Sequence, residues 1–147
     1  MRSRAKSAAS TRPGLEQQTL GTRHDSRSFP STDYRIRRAL EIMERDYSQH
    51  LSATQLAAAV NLSRSRFEHL FKAVTGRRFK PTLREIRLAR ARALLADRGL
   101  SVKEVAGRVG FATMAALSRA FAQRFGLPPS EWRRSTLEKQ VARSDNK

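Results

Sequence analysis

The chain has no cysteine. Disulfides, thiolate zinc sites and cysteine nucleophiles are thereby excluded, and the absence suits a reducing cytosol. Histidine is almost as scarce. His24, His50 and His69 stand far apart in sequence, with no neighbour that would make a metal site or a nucleophile–base pair. An enzyme is therefore not expected, and neither is a metal or a cofactor. No apolar run approaches the roughly 20 residues that span a bilayer, so no membrane association is expected. The N-terminus lacks the apolar stretch of a signal peptide. It is Arg- and Ser-rich and poor in acids, as transit peptides are, but Pro13, Gly14 and Gly21 interrupt any amphipathic helix there. No stretch alternates apolar and polar with period two, so no substantial sheet is expected. Acidic residues are few: 13 against 30 Lys and Arg.

What is abundant is positive charge. The formal net charge is +17 over 147 residues, and an excess of that size calls for a polyanionic partner, most often nucleic acid. The length suits about one domain. Residues 1–32 are polar, without apolar periodicity, and read as a disordered basic tail. Residues 135–147 read as a flexible C-terminal tail. The intervening 33–134 hold 21 basic and nine acidic residues, so most of the excess lies in the part that folds.

That part reads as an all-α fold of seven helices. Asp33 is placed to cap the first, whose apolar positions are Ile36, Leu40 and Met43. Ser52 caps a short second helix with Leu56, Ala57 and Val60. Ser63 caps a third with Phe67, Leu70, Phe71 and Val74, ended by Gly76. A long fourth helix spans 79–97 and tolerates Pro81 in its first turn. Ser101 caps a fifth with Val105, Ala106 and Val109. Thr113 caps a sixth with Leu117, Phe121 and Phe125, stopped by Gly126. Pro128-Pro129-Ser130 opens a seventh that carries Trp132.

Helices two and three resemble helices five and six in sequence. Leu51-Ser52 matches Leu100-Ser101, and Val60-Asn61-Leu62 matches Val109-Gly110-Phe111, at an offset of 49 residues. Ala112 is one extra residue, after which Ser63, Phe67, Phe71 and Gly76 match Thr113, Leu117, Phe121 and Gly126 at an offset of 50. Each copy has the logic of a helix-turn-helix. A small residue (Ala57, Ala106) sits where the next helix crosses closely. A turn residue able to take the left-handed conformation follows, Asn61 or Gly110. A hydroxyl then caps a helix whose outer face is free to enter a major groove. The units so defined are 33–76 and 100–134, with 79–97 as the linker helix.

On these residues 33–134 resemble the AraC/XylS-type DNA-binding domain almost end to end. The match is carried by Leu51 to Ala57, Leu62-Ser63, Leu70-Phe71-Lys72, Gly76, Phe79, Leu83, Arg87-Leu88, Ala91 and Leu94-Leu95. It is most specific from Val105 to Arg133, through Val109-Gly110-Phe111, Ser118-Arg119-Ala120-Phe121, Phe125-Gly126, Pro129 and Trp132-Arg133. The resemblance implies two helix-turn-helix units bridged by the linker helix, each placing its second helix in one of two successive major-groove segments. The pattern is departed from at Thr113-Met114-Ala115-Ala116-Leu117, where a polar or aromatic run is usual, at Ala122 where Lys is customary, and at Thr82 and Trp132. Many members of the family also carry a ligand-sensing domain. Residues 1–32 are too short for one, so the chain resembles the stand-alone members or is a fragment of a longer protein.

The resemblance, with helical spacing, names candidate DNA contacts. On the third helix Ser65, Glu68 and His69 face bases, with Arg66 and Lys72 at the groove walls. Glu68 can accept from a cytosine amino group and His69 can donate to a guanine edge. On the sixth helix the corresponding face is Met114, Ala115, Ala116, Ser118 and Arg119. Arg119 is expected to reach a guanine or a phosphate. Ser63, Thr113 and Ser130 lie at helix N-termini, where free N–H groups suit a phosphate as well as a cap. Arg87, on the apolar side of the linker helix, is expected to stabilise the domain. The second head offers fewer polar readers, so it is expected to be less selective and to act mainly as a phosphate-anchored clamp.

The expected function is thus sequence-specific binding of double-stranded DNA by a cytoplasmic, nucleoid-associated transcriptional regulator. Binding as a monomer and contact with RNA polymerase are expected. The alternative is a basic RNA-binding or nucleoid-type non-specific protein. RNA binding would call for stacking aromatics on an exposed face, and the few aromatics here fall at positions read as core.

Overall fold

The computed structural model describes residues 30–146, with side chains from Tyr34 onward. Seven helices follow one another: α1 (Pro30–Asp46), α2 (Ala53–Ala59), α3 (Arg64–Thr75), α4 (Phe79–Leu94), α5 (Val102–Val109), α6 (Met114–Phe125) and α7 (Pro129–Asp145). No strand occurs among the described residues. The all-α, seven-helix architecture is the one expected from the sequence.

The repeat is visible in the backbone itself. Ser52 accepts a hydrogen bond from the Gln55 amide at 3.1 Å, and the Gln55 side chain accepts from the Ser52 amide at 2.9 Å. Ser101 and Glu104 form the same reciprocal box at 3.0 Å each way. Asn61 turns the chain out of α2 at φ 60° and Gly110 turns it out of α5 at φ 94°. Asn tolerates that left-handed geometry because its short polar side chain bonds locally. The next amide returns to the preceding helix in both copies, Leu62 to the Ala57 carbonyl and Phe111 to the Ala106 carbonyl, at 2.9 Å each. Small side chains at 57 and 106 leave room for this closure, and both are buried.

Packing divides into two cores that share α4. The first gathers Ile36, Met43, Leu56, Phe67, Phe71, Phe79 and Leu83. Phe67, Phe71 and Phe79 meet there in tilted and edge-on pairs, with ring centroids 5.5–6.5 Å apart. The second gathers Leu88, Ala91, Leu95, Val105, Val109, Leu117 and Phe121. Trp132 of α7 closes it edge-on against Phe121 at 6.0 Å. Such aromatic pairs add about 0.5–1.5 kcal/mol each beyond the area they bury. The first turns of α4 therefore belong to one core and its last turns to the other.

Several boundaries differ from the sequence reading. The tail expected over 1–32 lies outside the described residues as far as position 29. Pro30 to position 32 already belong to α1, so Asp33 stands inside the helix rather than capping it. Proline suits a first turn, having no amide to leave unbonded. The linker helix ends at Leu94 instead of 97. The amides of Ala96 and Asp97 bond three residues back, to Ala93 and Leu94, the tighter geometry common at helix ends. The flexible tail expected from 135 onward is a correction: α7 continues to Asp145. Leu137-Glu138-Lys139-Gln140 are strong helix formers, and they extend a helix whose nucleus Trp132 already anchors, so no new nucleation cost arises.

Candidate nucleic-acid interface

The two candidate recognition helices, α3 and α6, are held alike. Ser63 caps α3 by accepting from the Arg66 amide at 3.2 Å, and Thr113 caps α6 by accepting from the Ala116 amide at 3.0 Å. Each helix runs for 12 residues and stops at a left-handed glycine, Gly76 or Gly126. Each buries one face: Phe67, Leu70 and Phe71 in α3, and Leu117, Ala120 and Phe121 in α6. The opposite faces are what remains for a ligand. Ser130 differs from the other two hydroxyls. It lies inside the first turn of α7, whose cap position is Pro128, with no side-chain cap bond.

On α3, Ser65, Arg66, His69 and Lys72 are exposed, as expected of groove-facing residues. Glu68 is half-buried, and its Oε1 accepts from Arg64 Nε at 3.2 Å. That pair accounts for an acid on a face meant for a polyanion: Arg64 neutralises it locally. Arg64 was not among the candidates from sequence, although its spacing of four residues from Glu68 is the signal that would have found it.

His69, Lys72, Arg64 and Glu68 line an open cleft of about 1000 Å³ between α3 and the starts of α2 and α4. His50, Arg78 and Lys80 complete its polar wall, and Leu51 and Phe79 contribute apolar surface. Two histidines and four Lys or Arg side chains thus face one acid. His50, Arg78 and Lys80 also escaped the sequence reading, because only the crossing of α3 over two helix starts brings them to it.

On α6, Thr113, Ala115 and Arg119 are exposed, Ala116 and Ser118 are half-buried, and Met114 is 50% exposed. The repeat permits a position-by-position comparison. Where the first unit has His50, Arg64, Lys72, Arg78 and Lys80, the second has Gly99, Met114, Ala122, Pro128 and Ser130. His69 has Arg119 as its counterpart. Around the cleft the first unit thus carries cations that the second lacks, whereas the second has Lys103, Arg108 and Arg124 where the first has Thr54, Ala59 and Val74.

Linker arginines serve the scaffold. Arg87 donates from Nε to the Tyr47 carbonyl at 2.7 Å and from Nη2 to the Gln49 carbonyl at 2.8 Å. Its burial holds the guanidinium below its ordinary pKa. Arg90 pairs with Glu44 at 2.9 Å and lies 5.3 Å over the Tyr47 ring. Arg92 lies 4.9 Å over Phe125. One aromatic departs from its expected core position: Tyr34 is 62% exposed. No group of three His, Asp or Glu suited to a metal occurs among the described residues, and no described helix is long and apolar enough to cross a membrane.

Comparison with known proteins agrees with this geometry. A family model described as a helix-turn-helix domain (HTH_18) matches residues 56–135. The HTH-type transcriptional regulator GlxA of Rhizobium meliloti is 34% identical over 126 residues, covering 86% of this chain and 36% of that protein. The Msm operon regulatory protein of Streptococcus mutans is 32% identical over 111 residues, covering 76% of this chain and 40% of that protein. The chain thus spans well under half the length of these curated relatives. The DNA-binding domain of AdpA, solved in complex with a target DNA, superposes with a TM-score of 0.69 at 27% identity, over 72% of this chain and 96% of that one. An AraC-type regulator from Chromobacterium violaceum superposes with a TM-score of 0.64 at 29% identity, over 71% of this chain and 93% of that one. By fold, repeat and family match, the chain belongs to the AraC-type helix-turn-helix family of transcriptional regulators.

Proposed function

We propose that this chain binds double-stranded DNA sequence-specifically and regulates transcription, laying α3 and α6 in successive major-groove segments. The observation that carries this is the duplicated unit: two recognition helices with the same cap, turn and stop, each with a free outer face, joined by one helix. The 16 residues of α4 span about 24 Å, a fitting spacer for heads roughly 34 Å apart on one side of a duplex. The DNA-bound state of the structurally similar AdpA domain supports the same reading. Ser65, Glu68 and His69 are the base readers of the first head, with Arg66 and Lys72 on its flanking phosphates. Met114, Ala115, Ala116, Ser118 and Arg119 form the second reading face. Ser63 and Thr113 add phosphate contacts from their helix starts.

One chain already carries two reading heads, so binding is monomeric and its site asymmetric. Its place is the cytoplasm, on the nucleoid, with RNA polymerase as the further partner. Selection from a randomised duplex library, followed by sedimentation of the complex, tests these points together. A single asymmetric site of about two turns, bound one chain per duplex, is expected. Equal affinity for unrelated duplexes would replace the reading with non-specific packaging, and a stable dimer on a palindrome would remove the monomeric mode.

A further inference from the structure

Beside α4, the two units touch each other directly. A Cβ placed on Gly110, in the turn of the second unit, would lie 3.0 Å from the Ser48 carbonyl oxygen of the first. It would also lie 3.0 Å from Arg87 Nε and 3.1 Å from Arg87 Cζ. Three segments therefore converge: the loop that follows α1, the middle of α4, and the α5–α6 turn.

We propose that Arg87 is a positioning residue that sets the distance and angle between the two heads, and so the base-pair spacing the protein accepts. The spacing part rests on the duplex-reading function proposed above. Arg87 is fixed from the first unit at two points, Nε on the Tyr47 carbonyl and Nη2 on the Gln49 carbonyl. A planar guanidinium held at two points has a defined orientation, which a lysine ammonium would not have. The carbonyls it meets lie in the loop just past the C-terminus of α1, the end of a helix whose dipole favours a cation. The turn of the second unit then seats on the immobilised guanidinium. A side chain at this seat is disfavoured on two counts, by φ 94° and by a Cβ that would press to 3.0 Å against its neighbours. Displacement of the second unit would have to open this contact.

The internal repeat supplies a control. Arg133 of α7 makes a similar fork, from Nε to the Leu95 carbonyl at 2.9 Å and from Nη2 to the Asp97 carbonyl at 3.4 Å. It ties α7 to the end of α4 within the second unit. Loss of Arg133 removes the same kind of bond without opening the joint between units.

The absence of cysteine makes the test direct. In the full chain, Ser65→Cys and Ala115→Cys, at matching points of α3 and α6, carry a pair of spin labels. Pulsed dipolar spectroscopy then gives the distribution of distances between heads without DNA. The parent protein is expected to give one narrow distance, Arg87→Met a distribution at least about twofold broader, and Arg133→Met the parent's width. In a second arm, unlabelled proteins bind a library-selected duplex with one or two base pairs inserted between its half-sites. The parent loses about tenfold or more per insertion, the scale of one mismatched base pair. Arg87→Met loses only a few-fold, and Arg133→Met behaves as the parent does. Parent-like width and parent-like spacing penalty in Arg87→Met overturn the proposal, as does equal broadening in Arg133→Met. Where Arg87→Met shows no cooperative melt, Arg87→Lys takes its place, and a width equal to the parent's overturns the proposal there too. A parent that selects no duplex refutes the DNA reading, while the spin-label arm still decides the joint.

Discussion

The cations that line the first unit's cleft, absent from the matching positions of the second, give a quantitative test of whether that cleft holds phosphates. Lys72, Arg78 and Lys80 are exposed and line the first unit's cleft. Their replacement together by Gln changes no core contact, and exposed substitutions of this kind each alter stability by about 0.5 kcal/mol or less. Each phosphate contact contributes about 0.9 to the slope of log affinity against log salt. Three lost contacts lower the slope by about 2.7. Between about 50 and about 200 mM salt, each contact corresponds to about 3.5-fold in affinity, and three to about 40-fold. The variant is therefore expected to bind more weakly at low salt and to lose about 40-fold less than the parent over that range. Fluorescence anisotropy of one labelled duplex at several salt concentrations measures both slopes. The matching positions of the second unit, Ala122, Pro128 and Ser130, are already neutral. Replacement of Lys103 and Arg119 there should lower the slope by no more than about 1.8. An unchanged slope in the triple variant would refute the assignment of phosphate contacts to the first unit's cleft.

The heads should also differ in stringency: Arg119→Ala weakens binding and relaxes one base position by about 1–3 kcal/mol, whereas Ala116→Ser changes little, and systematic base substitution across the site reads both effects. Equal stringency under α6 and α3 would contradict this. Thr113→Ala and Ser63→Ala each remove the one side-chain cap of a recognition helix and should cost about 1 kcal/mol, seen as a shift of the urea midpoint with the slope unchanged. The Ser101 amide and hydroxyl hold the Glu104 carboxyl below its ordinary pKa. Its contribution is therefore present above the unfolded pKa and is lost as the pH falls through the folded one, so Glu104→Gln should flatten the acid side of the melting profile. Parallel profiles for the two proteins would contradict that cause.

The helix-turn-helix units are legible in sequence because their devices are local. A Ser three residues before Gln55 or Glu104, an Asn or Gly in the turn, and a glycine stop each act within one or two helical turns. The cleft is not legible in that way. His50 reaches it from the loop before α2, and Arg78 and Lys80 from the start of α4, and nothing in their own spacing marks them. The α7 extension eluded a reading based on apolar stripes because its helical form rests on propensity and on an anchored nucleus. The family resemblance, with its place on the apolar side of α4, marks Arg87 as stabilising. Its contact with the Gly110 turn needed the tertiary structure, since 23 residues separate the two.

The sharing of α4 between two cores bears on how the protein comes apart. Phe79 and Leu83 belong to one core and Leu88, Ala91 and Leu95 to the other. Opening either half strips one end of α4 of its packing and leaves the rest as a short, poorly supported helix, which is marginal in water. The half left behind, at about 50 residues, is marginal on its own. Thermal unfolding should therefore be a single transition despite the two cores. Amide exchange should follow suit: the middle of α4 opens only with the whole molecule, while the exposed end of α7 frays with little free-energy cost.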